Sequence, residues 1–282
     1  MKRNFAIGSE WLYYKIYTGV KITDTILIEK LYPIIEELKA NNLIEKWFFI
    51  RYRDTDEHLR LRFYSPKKEN LFQVIQYLYP VIEKLMAEDI IWKVQLDTYQ
   101  RELERYGSAT METSESIFYY DSEMIVAYLA LKPFFLEEET ELLFSFLAID
   151  SFLNVFSLPN KQKLDLLDKL QISFKKEFNA TKILKKEFDK NYRSLSARIE
   201  AFINNQDDEF SDVYQIINHK ERNLKNLFSK ETFQLEMDLN SFLSSHIHMT
   251  INRQFSSRQR HYECLIYDHL YRYYKSINYK KL

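Results

Sequence analysis

The sequence predicts an α+β fold, in which an N-terminal mixed α/β part with an antiparallel sheet is followed by a mainly helical C-terminal part. Within residues 1–110, short aromatic and β-branched runs alternate polar and apolar positions, as strands do. Within residues 111–282, apolar residues recur at the i, i+3, i+4 spacing of amphipathic helices. The two patterns are segregated along the chain, which favours α+β over α/β. We therefore expect one domain over 1–282, with an α+β subregion at 1–110 and a mostly helical subregion at 111–282.

The N-terminal subregion contains four predicted strands and two predicted helices. The strands are 11–17, 47–52, 58–64 and 90–99. The polar turn 53–57 joins the second strand to the third, which predicts a hairpin. The first helix is expected to be capped by Thr23 or Asp24 and to bury apolar residues as far as Leu38. The second helix covers 70–86 and contains Pro80, a residue that bends or breaks helices.

The C-terminal subregion is predicted to be a series of amphipathic helices. Their ranges are 115–131, 137–156, 161–178, 182–204, 209–228 and 231 onward. Pro159 and the polar run 204–208 are the clearest breaks between them.

The composition excludes several classes of protein. Aromatic residues make up 16% of the chain, which indicates a folded protein rather than a disordered one. The 40 basic and 41 acidic residues nearly balance, so no direct nucleic-acid partner is expected. Only 3 glycines occur, too few for a glycine-rich phosphate loop. The single Cys264 is expected to be a buried thiol, and the absence of disulfides, of a signal peptide and of long apolar runs fits a cytoplasmic location.

The segment 51–63 concentrates positive charge. His58, Arg60 and Arg62 share one face of their strand, and Arg51 and Arg53 project together from the partner strand. Up to five cationic groups are thus predicted in a small area, which is typical of an anion site because guanidinium groups bind carboxylates through paired hydrogen bonds. The alternative is a solvated sheet face balanced by nearby acids: Asp54, Asp56 and Glu57.

Two further segments carry candidate functional residues. If 99–107 is helical in part, Glu102 and Arg105 can pair, and Gly107 is expected to need a positive φ, although a surface ion pair before a turn explains the same pattern. In 244–253, His248 and Asn252 lie four residues apart on a helix, and a histidine of near-neutral pKa can transfer protons. A satisfied core histidine is the alternative, and no metal site is expected because too few ligands share the required spacing.

Five segments, taken together and in order, resemble the C-terminal elimination domain of class I lantibiotic dehydratases, which also occurs in stand-alone thiopeptide-type bacteriocin biosynthesis proteins. The matching segments are W-x-Y-x-K-I-Y at 11–17, W-F-F-I-R-Y-x-D-x-x-x-H-L-R-L-R at 47–62, Y-x-R-E-x-x-R-Y-G at 99–107, F-x-x-D-S at 118–122 and H-M-x-x-N-R at 248–253. Ser108 departs from the family pattern, in which a second glycine follows R-Y-G.

The resemblance implies a role in making dehydroamino acids. Glutamate is transferred from glutamyl-tRNA to a Ser or Thr of a ribosomal precursor peptide, and the elimination domain expels it to leave dehydroalanine or dehydrobutyrine. Arg62 and Arg105 are then expected to stabilise developing negative charge, and His248 to transfer the proton. Arg60 is expected to bind glutamate, and Glu102 to orient an arginine. The remaining expected substrate-binding residues are Arg51, His58, Asn252 and Arg253.

The resemblance also implies the partners of the reaction. The chain is too short to include the glutamylating domain, so a glutamylated precursor peptide and a separate glutamyl-tRNA-dependent dehydratase protein are expected. A cyclase or transporter of the same pathway and a second copy of the chain, forming a homodimer, are further candidates. No metal or organic cofactor is expected. Two other functions remain open: a pyridine synthase, which joins two dehydroalanines and releases a leader peptide, and a non-catalytic peptide-binding scaffold.

Overall fold

The computed structural model describes residues 1–135, 139–230 and 235–279. The chain forms two compact units. Unit 1 comprises Met1–Ala130 and Thr232–Ser257, and unit 2 comprises Leu131–Glu231 and Arg258–Leu282. An antiparallel sheet occupies the N-terminal part and helices dominate the remainder, so the predicted α+β class is confirmed. No helix in the described part of the chain is long and apolar enough to cross a membrane.

Unit 1 is built on a four-stranded antiparallel sheet. Its strands are β2 (Trp11–Thr18), β3 (Lys46–Arg53), β4 (Glu57–Tyr64) and β5 (Ile91–Asp97), in the order β3-β4-β2-β5. The predicted hairpin is confirmed as β3–β4. A separate two-stranded sheet pairs β1 (Asn4–Phe5) with β6 (Tyr99–Gln100). The short β6 brings the chain from the sheet directly into the segment that carries Glu102 and Arg105.

The helices of unit 1 follow the predicted apolar pattern with local departures. They are α1 (Thr23–Thr25), a π-helical stretch (Ile26–Leu31), α2 (Tyr32–Ala40), α3 (Asn70–Ala87), α4 (Leu103–Tyr106), α5 (Met111–Leu131) and α10 (Leu239–Gln254). Pro80 lies inside α3 and does not break it. The prediction of a cap at Thr23 or Asp24 was wrong, because a 3-10 turn at Val20–Ile22 precedes them. The Thr23 hydroxyl donates to the Gly19 carbonyl, and the Asp24 carboxylate accepts from Arg51.

Side chains from two helices close the outer edge of β3. The Phe49 amide donates to the Ser122 hydroxyl of α5 at 3.2 Å, and its carbonyl accepts from the Arg253 guanidinium of α10 at 2.8 Å. The Asn252 amide group donates to the Arg51 carbonyl at 2.9 Å and accepts from the Arg51 amide at 3.0 Å. An edge strand otherwise presents unpaired backbone groups, so these contacts replace a missing neighbouring strand and fix α10 against the sheet.

Unit 2 is helical and contains buried ionic networks. Its helices are α6 (Thr140–Val155), α7 (Asn160–Glu177), α8 (Lys182–Ile203), α9 (Ser211–Lys230) and α11 (Gln259–Tyr279). Residues 137 and 138 of one predicted helix, and 231–234 at the start of the last, lie outside the described residues. The predicted helix from 231 onward is in fact two helices, α10 and α11.

One of these networks in unit 2 centres on Asp268, which is fully buried. It accepts hydrogen bonds from Lys175 and, at 2.7 Å, from Arg272. Burial alone would raise the pKa of Asp268, but hydrogen bonds from His269, Lys175 and Arg272 outweigh burial and hold the pKa well below its ordinary value. This carboxylate therefore stays ionised and ties α7 to α11.

Candidate functional site

The register of the β3–β4 hairpin decides which cationic groups share a face. Arg60 stands opposite Ile50 and Arg62 opposite Phe48, whereas Arg51 stands opposite Leu59. Residues directly opposite in an antiparallel pair project to the same face. The five predicted cationic groups therefore do not share one face: His58, Arg60 and Arg62 share a face, and Arg51 and Arg53 project to the other.

A cavity of about 220 Å³ lies beside this face. The residues that line it come from β3, β4, β6, the segment 102–106 that contains α4, α5 and α10, and include Arg60, Arg62, Glu102, Arg105, His248 and Asn252. The structure thus brings together residues as far apart in sequence as Arg60 and Asn252. Arg51 and Arg253 also line the cavity, but the Arg51 guanidinium is bound by Asp24 at 2.6 Å and by the Arg253 carbonyl at 2.9 Å. Of the predicted site residues, only His58 does not line this cavity.

Arg62 is a buried cation held by aromatic rings. Arg62 is 7% exposed, and its Nε has no hydrogen-bond partner among the described residues. The guanidinium carbon lies 4.3 Å from the ring centroid of Tyr13, 5.0 Å from that of Tyr99 and 5.1 Å from that of Phe48. Burial lowers the pKa of the Arg62 guanidinium. Among the described residues no carboxylate lies within 4 Å of it, so its charge is available to an anion that enters the cavity.

Arg60 is fixed by two contacts. Its guanidinium carbon lies 3.3 Å from the centroid of the Tyr52 ring, and its Nε donates to Nε2 of His58 at 3.1 Å. These contacts involve the guanidinium plane and Nε, and Arg60 also lines the 220 Å³ cavity. Arg60 also lines a second cavity of about 280 Å³, together with Arg62, Lys15 and Asp97.

The α4 segment supplies Glu102 and Arg105. The predicted pairing is confirmed, with Arg105 Nη1 at 3.5 Å from the Glu102 carboxylate. Arg105 Nε also donates to the Ser245 hydroxyl of α10 at 3.3 Å. Gly107 ends α4 with φ +77°, as predicted, and a Cβ there would lie 2.7 Å from the Thr110 hydroxyl. The turn therefore depends on glycine to place Arg105 over the cavity.

The α10 segment supplies His248 and the residues that hold it in place. Asn252 and Arg253 bind the edge of β3, and the buried Arg253 guanidinium also pairs with Asp121 at 2.9 Å. Asp121 additionally accepts from the Thr250 hydroxyl at 2.9 Å. His248 lies one turn before Asn252 and is half-buried at the cavity. The second half of the H-M-x-x-N-R segment therefore anchors the helix, and the first half faces the site.

The sequence reasoning missed the aromatic and polar neighbours of the arginines. Tyr13, Tyr52 and Tyr99 contact the guanidinium groups, and Ser245 contacts Arg105. All three tyrosines had a readable signal, because Tyr13, Tyr52 and Tyr99 belong to the segments at 11–17, 47–62 and 99–107. Ser245 had no signal, since its role depends on the packing of α10 beside α4.

Arg101 forms a separate buried ion pair under the site. Its Nε and Nη2 donate to the two oxygens of Glu115, each at 2.7 Å, and the Tyr99 hydroxyl donates to the same carboxylate at 2.9 Å. Burial raises the pKa of Tyr99 well above its ordinary value. Tyr99 also contacts the Arg62 guanidinium, so the Arg101–Glu115 pair supports the tyrosine ring on which Arg62 packs. Unlike Arg62, Arg101 has a carboxylate partner.

The arrangement can bind anions without a metal. Within residues 1–135, 139–230 and 235–279, no three His, Cys, Asp or Glu side chains are grouped to hold a metal ion. Fold and site together define an α+β protein with a cationic cavity and an adjacent histidine. The model of the lantibiotic biosynthesis dehydratase C-terminal family matches residues 11–274, and the chain belongs to this family.

Individual relatives agree with this assignment. The nisin biosynthesis protein NisB of Lactococcus lactis subsp. lactis is 30% identical over 97% of this chain and 26% of its own length. The epidermin biosynthesis protein EpiB of Staphylococcus epidermidis is 24% identical over 90% of this chain and 25% of its own length. The chain therefore spans about a quarter of the length of these curated relatives.

Solved structures share the fold. The tRNA-dependent lantibiotic dehydratase MibB from Microbispora matches 99% of this chain with a TM-score of 0.79 at 18% identity, over 29% of its own chain. The pyridine synthase TbtD from thiomuracin biosynthesis matches 97% of this chain and all of its own, with a TM-score of 0.65 at 11% identity.

Proposed function

We propose that the chain catalyses elimination of glutamate from glutamylated Ser or Thr residues of a precursor peptide, a lyase reaction that leaves dehydroalanine or dehydrobutyrine. The single observation that carries this proposal is the buried Arg62, whose guanidinium faces the cavity. Among the described residues, no carboxylate lies within ion-pair distance of that guanidinium. A buried charge without a counter-ion is costly unless a ligand supplies one. Glutamate, which leaves with two carboxylates, is such a ligand.

The chemistry follows from the placement of the side chains. His248 is the proton-transfer residue, acting either on the Cα proton of the substrate or on a departing group. A base takes the Cα proton, the electron pair of the Cα–H bond forms the Cα–Cβ double bond, and the Cβ–O bond breaks, so that glutamate departs as a carboxylate. Arg62 and Arg105 stabilise the negative charge on the enolate and on the leaving group. Arg60 binds glutamate, and Glu102 orients Arg105.

The partners proposed for this reaction are the glutamylated peptide and a component that attaches glutamate to it. MibB is described as tRNA dependent and NisB as a nisin biosynthesis protein, and the chain matches only a quarter to a third of each. As the family resemblance implies, we propose that a glutamyl-tRNA-dependent dehydratase component carries out this transfer. A cyclase, a transporter and a second copy of this chain stay candidate partners, and the reaction as proposed requires no cofactor.

The test is direct elimination on a defined substrate. The purified chain is incubated with a synthetic peptide that carries a Ser glutamyl ester, without tRNA or partner protein, and peptide mass and free glutamate are followed. We expect loss of glutamate together with the Ser oxygen, and no product with Arg62→Met or His248→Ala. Matched controls are Arg53→Ala, whose side chain is 73% exposed, and His219→Ala, also exposed. An ester that survives, or that only hydrolyses back to Ser, refutes elimination by this chain.

A pyridine synthase is the second candidate, since the chain covers the whole length of the TbtD chain. Its test uses a peptide with two dehydroalanines, on which ring formation and leader release would identify that activity. The third candidate is a non-catalytic peptide-binding scaffold. In that case neither substrate reacts, and His248→Ala leaves product formation by the assembled pathway unchanged.

A further inference from the structure

The ring of His58 is buried between aromatic side chains and makes one hydrogen bond with each nitrogen. Nδ1 lies 3.0 Å from the backbone carbonyl oxygen of Asp56, and Nε2 lies 3.1 Å from Nε of Arg60. A carbonyl oxygen only accepts, so Nδ1 must carry the hydrogen. An arginine Nε only donates, so Nε2 must present a lone pair. The two partners together select the neutral Nδ1–H form of the ring.

Ring stacking fixes the plane in which this lone pair points. The His58 ring stacks on Tyr17 with centroids 4.5 Å apart, and the Tyr52 ring lies 5.6 Å away. The same Tyr52 ring supports the Arg60 guanidinium carbon at 3.3 Å. Because His58 holds Nε and Tyr52 holds the guanidinium plane, Arg60 has little freedom except to direct its terminal nitrogens toward the cavities that it lines.

We infer that His58 is a positioning residue for Arg60: its Nε2 lone pair orients the guanidinium for the anionic leaving group, without contacting the substrate. This inference rests on the proposed elimination function and replaces the expectation that His58 binds substrate. The side chain of His58 is fully buried and does not line the 220 Å³ cavity, so it cannot reach a ligand there. Proton transfer by His248 is a separate role on another helix.

The orientation of Arg60 then depends on pH. Protonation of His58 converts Nε2 from an acceptor to a donor and places a cation against Arg60, so the contact is lost. Burial lowers the pKa of His58 below its ordinary value of 6.5, which keeps the ring neutral at physiological pH. The titratable and charged groups around the ring are Lys15 and Tyr17 of β2, Tyr52 of β3, Asp54 of the turn and Arg60 of β4.

Two substitutions separate the acceptor from the ring. His58→Gln can keep an acceptor oxygen near the Nε2 position but removes the ring, and His58→Phe keeps the ring but removes the acceptor. On the glutamyl-ester peptide we expect His58→Phe to lower kcat/KM about tenfold, mainly through KM, and His58→Gln to recover most of that loss. His58→Phe should make no further difference in an Arg60→Lys background, because lysine has no Nε–H to orient. Equal losses with Phe and Gln, or an unchanged effect of Phe in the Arg60→Lys background, would overturn the inference.

An NMR measurement that does not depend on catalysis separates the positioning role of His58 from the proposed elimination function. In the ¹⁵N-labelled full chain, the Arg60 Nε–H signal, assigned with Arg60→Lys, should exchange slowly at pH 7.5 and rapidly once His58 is protonated. His58 nitrogen shifts should report the Nδ1–H form at the higher pH. If the wild-type chain shows these signals but eliminates nothing, the elimination function fails and the positioning contact stands. A rapidly exchanging Arg60 Nε–H at pH 7.5 in the wild-type chain refutes the positioning role, whatever the activity. This test does not require that His58→Phe folds.

Discussion

Two of the buried arginines of unit 1, Arg62 and Arg253, should respond in opposite directions to the same substitution. Arg253, at 1% exposure, pairs with the buried Asp121 at 2.9 Å and donates to the Phe49 carbonyl. Arg62, at 7% exposure, has no carboxylate within 4 Å among the described residues and contacts three aromatic rings. Methionine resembles the arginine stem in length and lacks the charge, so it isolates the contribution of each guanidinium.

The magnitudes follow from what each guanidinium leaves behind. Arg253→Met strands the buried Asp121 carboxylate and should lower the free energy of unfolding by about 3–5 kcal/mol. Arg62→Met strands no charge. Burying its cation costs several kcal/mol, against which three cation–π contacts return about 1 kcal/mol each. Arg62→Met should therefore raise the free energy of unfolding by about 1–2 kcal/mol while it abolishes elimination.

Urea denaturation of both variants at pH 7 measures these changes, with and without free glutamate. Glutamate at a hundred times its Kd should stabilise the wild type by about 2.7 kcal/mol and leave Arg62→Met unchanged. If Arg62→Met is destabilised as much as Arg253→Met, the Arg62 charge serves the fold, and the reasoning that links it to an anionic ligand is refuted.

Four other outcomes test the structure. Gly107→Ala should destabilise unit 1 by about 1–3 kcal/mol in thermal unfolding and Gly8→Ala by less, because only the former adds a Cβ clash to a positive φ. Asn252→Leu should cost about 1–3 kcal/mol and speed hydrogen exchange of the Arg51 amide, because it removes both bonds to the β3 edge. Burial raises the pKa of Cys264 to about 11, so a thiol reagent at pH 8 should label it only in denaturant. Folding lowers the pKa of Asp268, so its ionised carboxylate stabilises the fold above the unfolded pKa of about 3.8, and this stabilisation decreases as the pH falls below 3.8. Asp268→Asn should therefore be destabilising at pH 7, and the difference from the wild type should shrink below pH 3.8.

The strands were predictable because alternation within one strand is a local property. Glu57–Tyr64 carries that alternation in its own residues, and Trp11–Thr18 is an aromatic run that is buried along almost its whole length. The relation between strands is not local, and the error about Arg51 arose there. Alternation assigns Arg51 and Arg53 to one face of β3, but only the register with β4 shows that this is the face opposite Arg60.

The sequence predicted which residues form the candidate site, but not which of its arginines are paired with a carboxylate. Arg60 and Arg62 of the segment 51–63, Glu102 and Arg105 of 99–107 and His248 of 248–253 do meet at one cavity. The sequence could not show that Arg62 is buried without a carboxylate neighbour, while Arg101, just as charged, is paired with Glu115. That difference depends on which acidic residue α5 places within reach, and it determines which arginine is available to a ligand.

The closure of the β3 edge also sets an order of events during synthesis. The Phe49 amide is completed by Ser122, but the Phe49 carbonyl and both backbone groups of Arg51 are completed by residues 201 to 204 positions later in the chain. On the ribosome, at about 5–20 residues per second, this strand therefore waits at least ten seconds or so with its edge exposed after it has emerged. During that interval the nascent chain presents a template for intermolecular pairing, and chaperone binding should concentrate on chains halted before residue 252. The contacts of Asn252 and Arg253 with β3 thus stabilise the folded unit 1, and their late formation leaves the nascent chain open to intermolecular pairing.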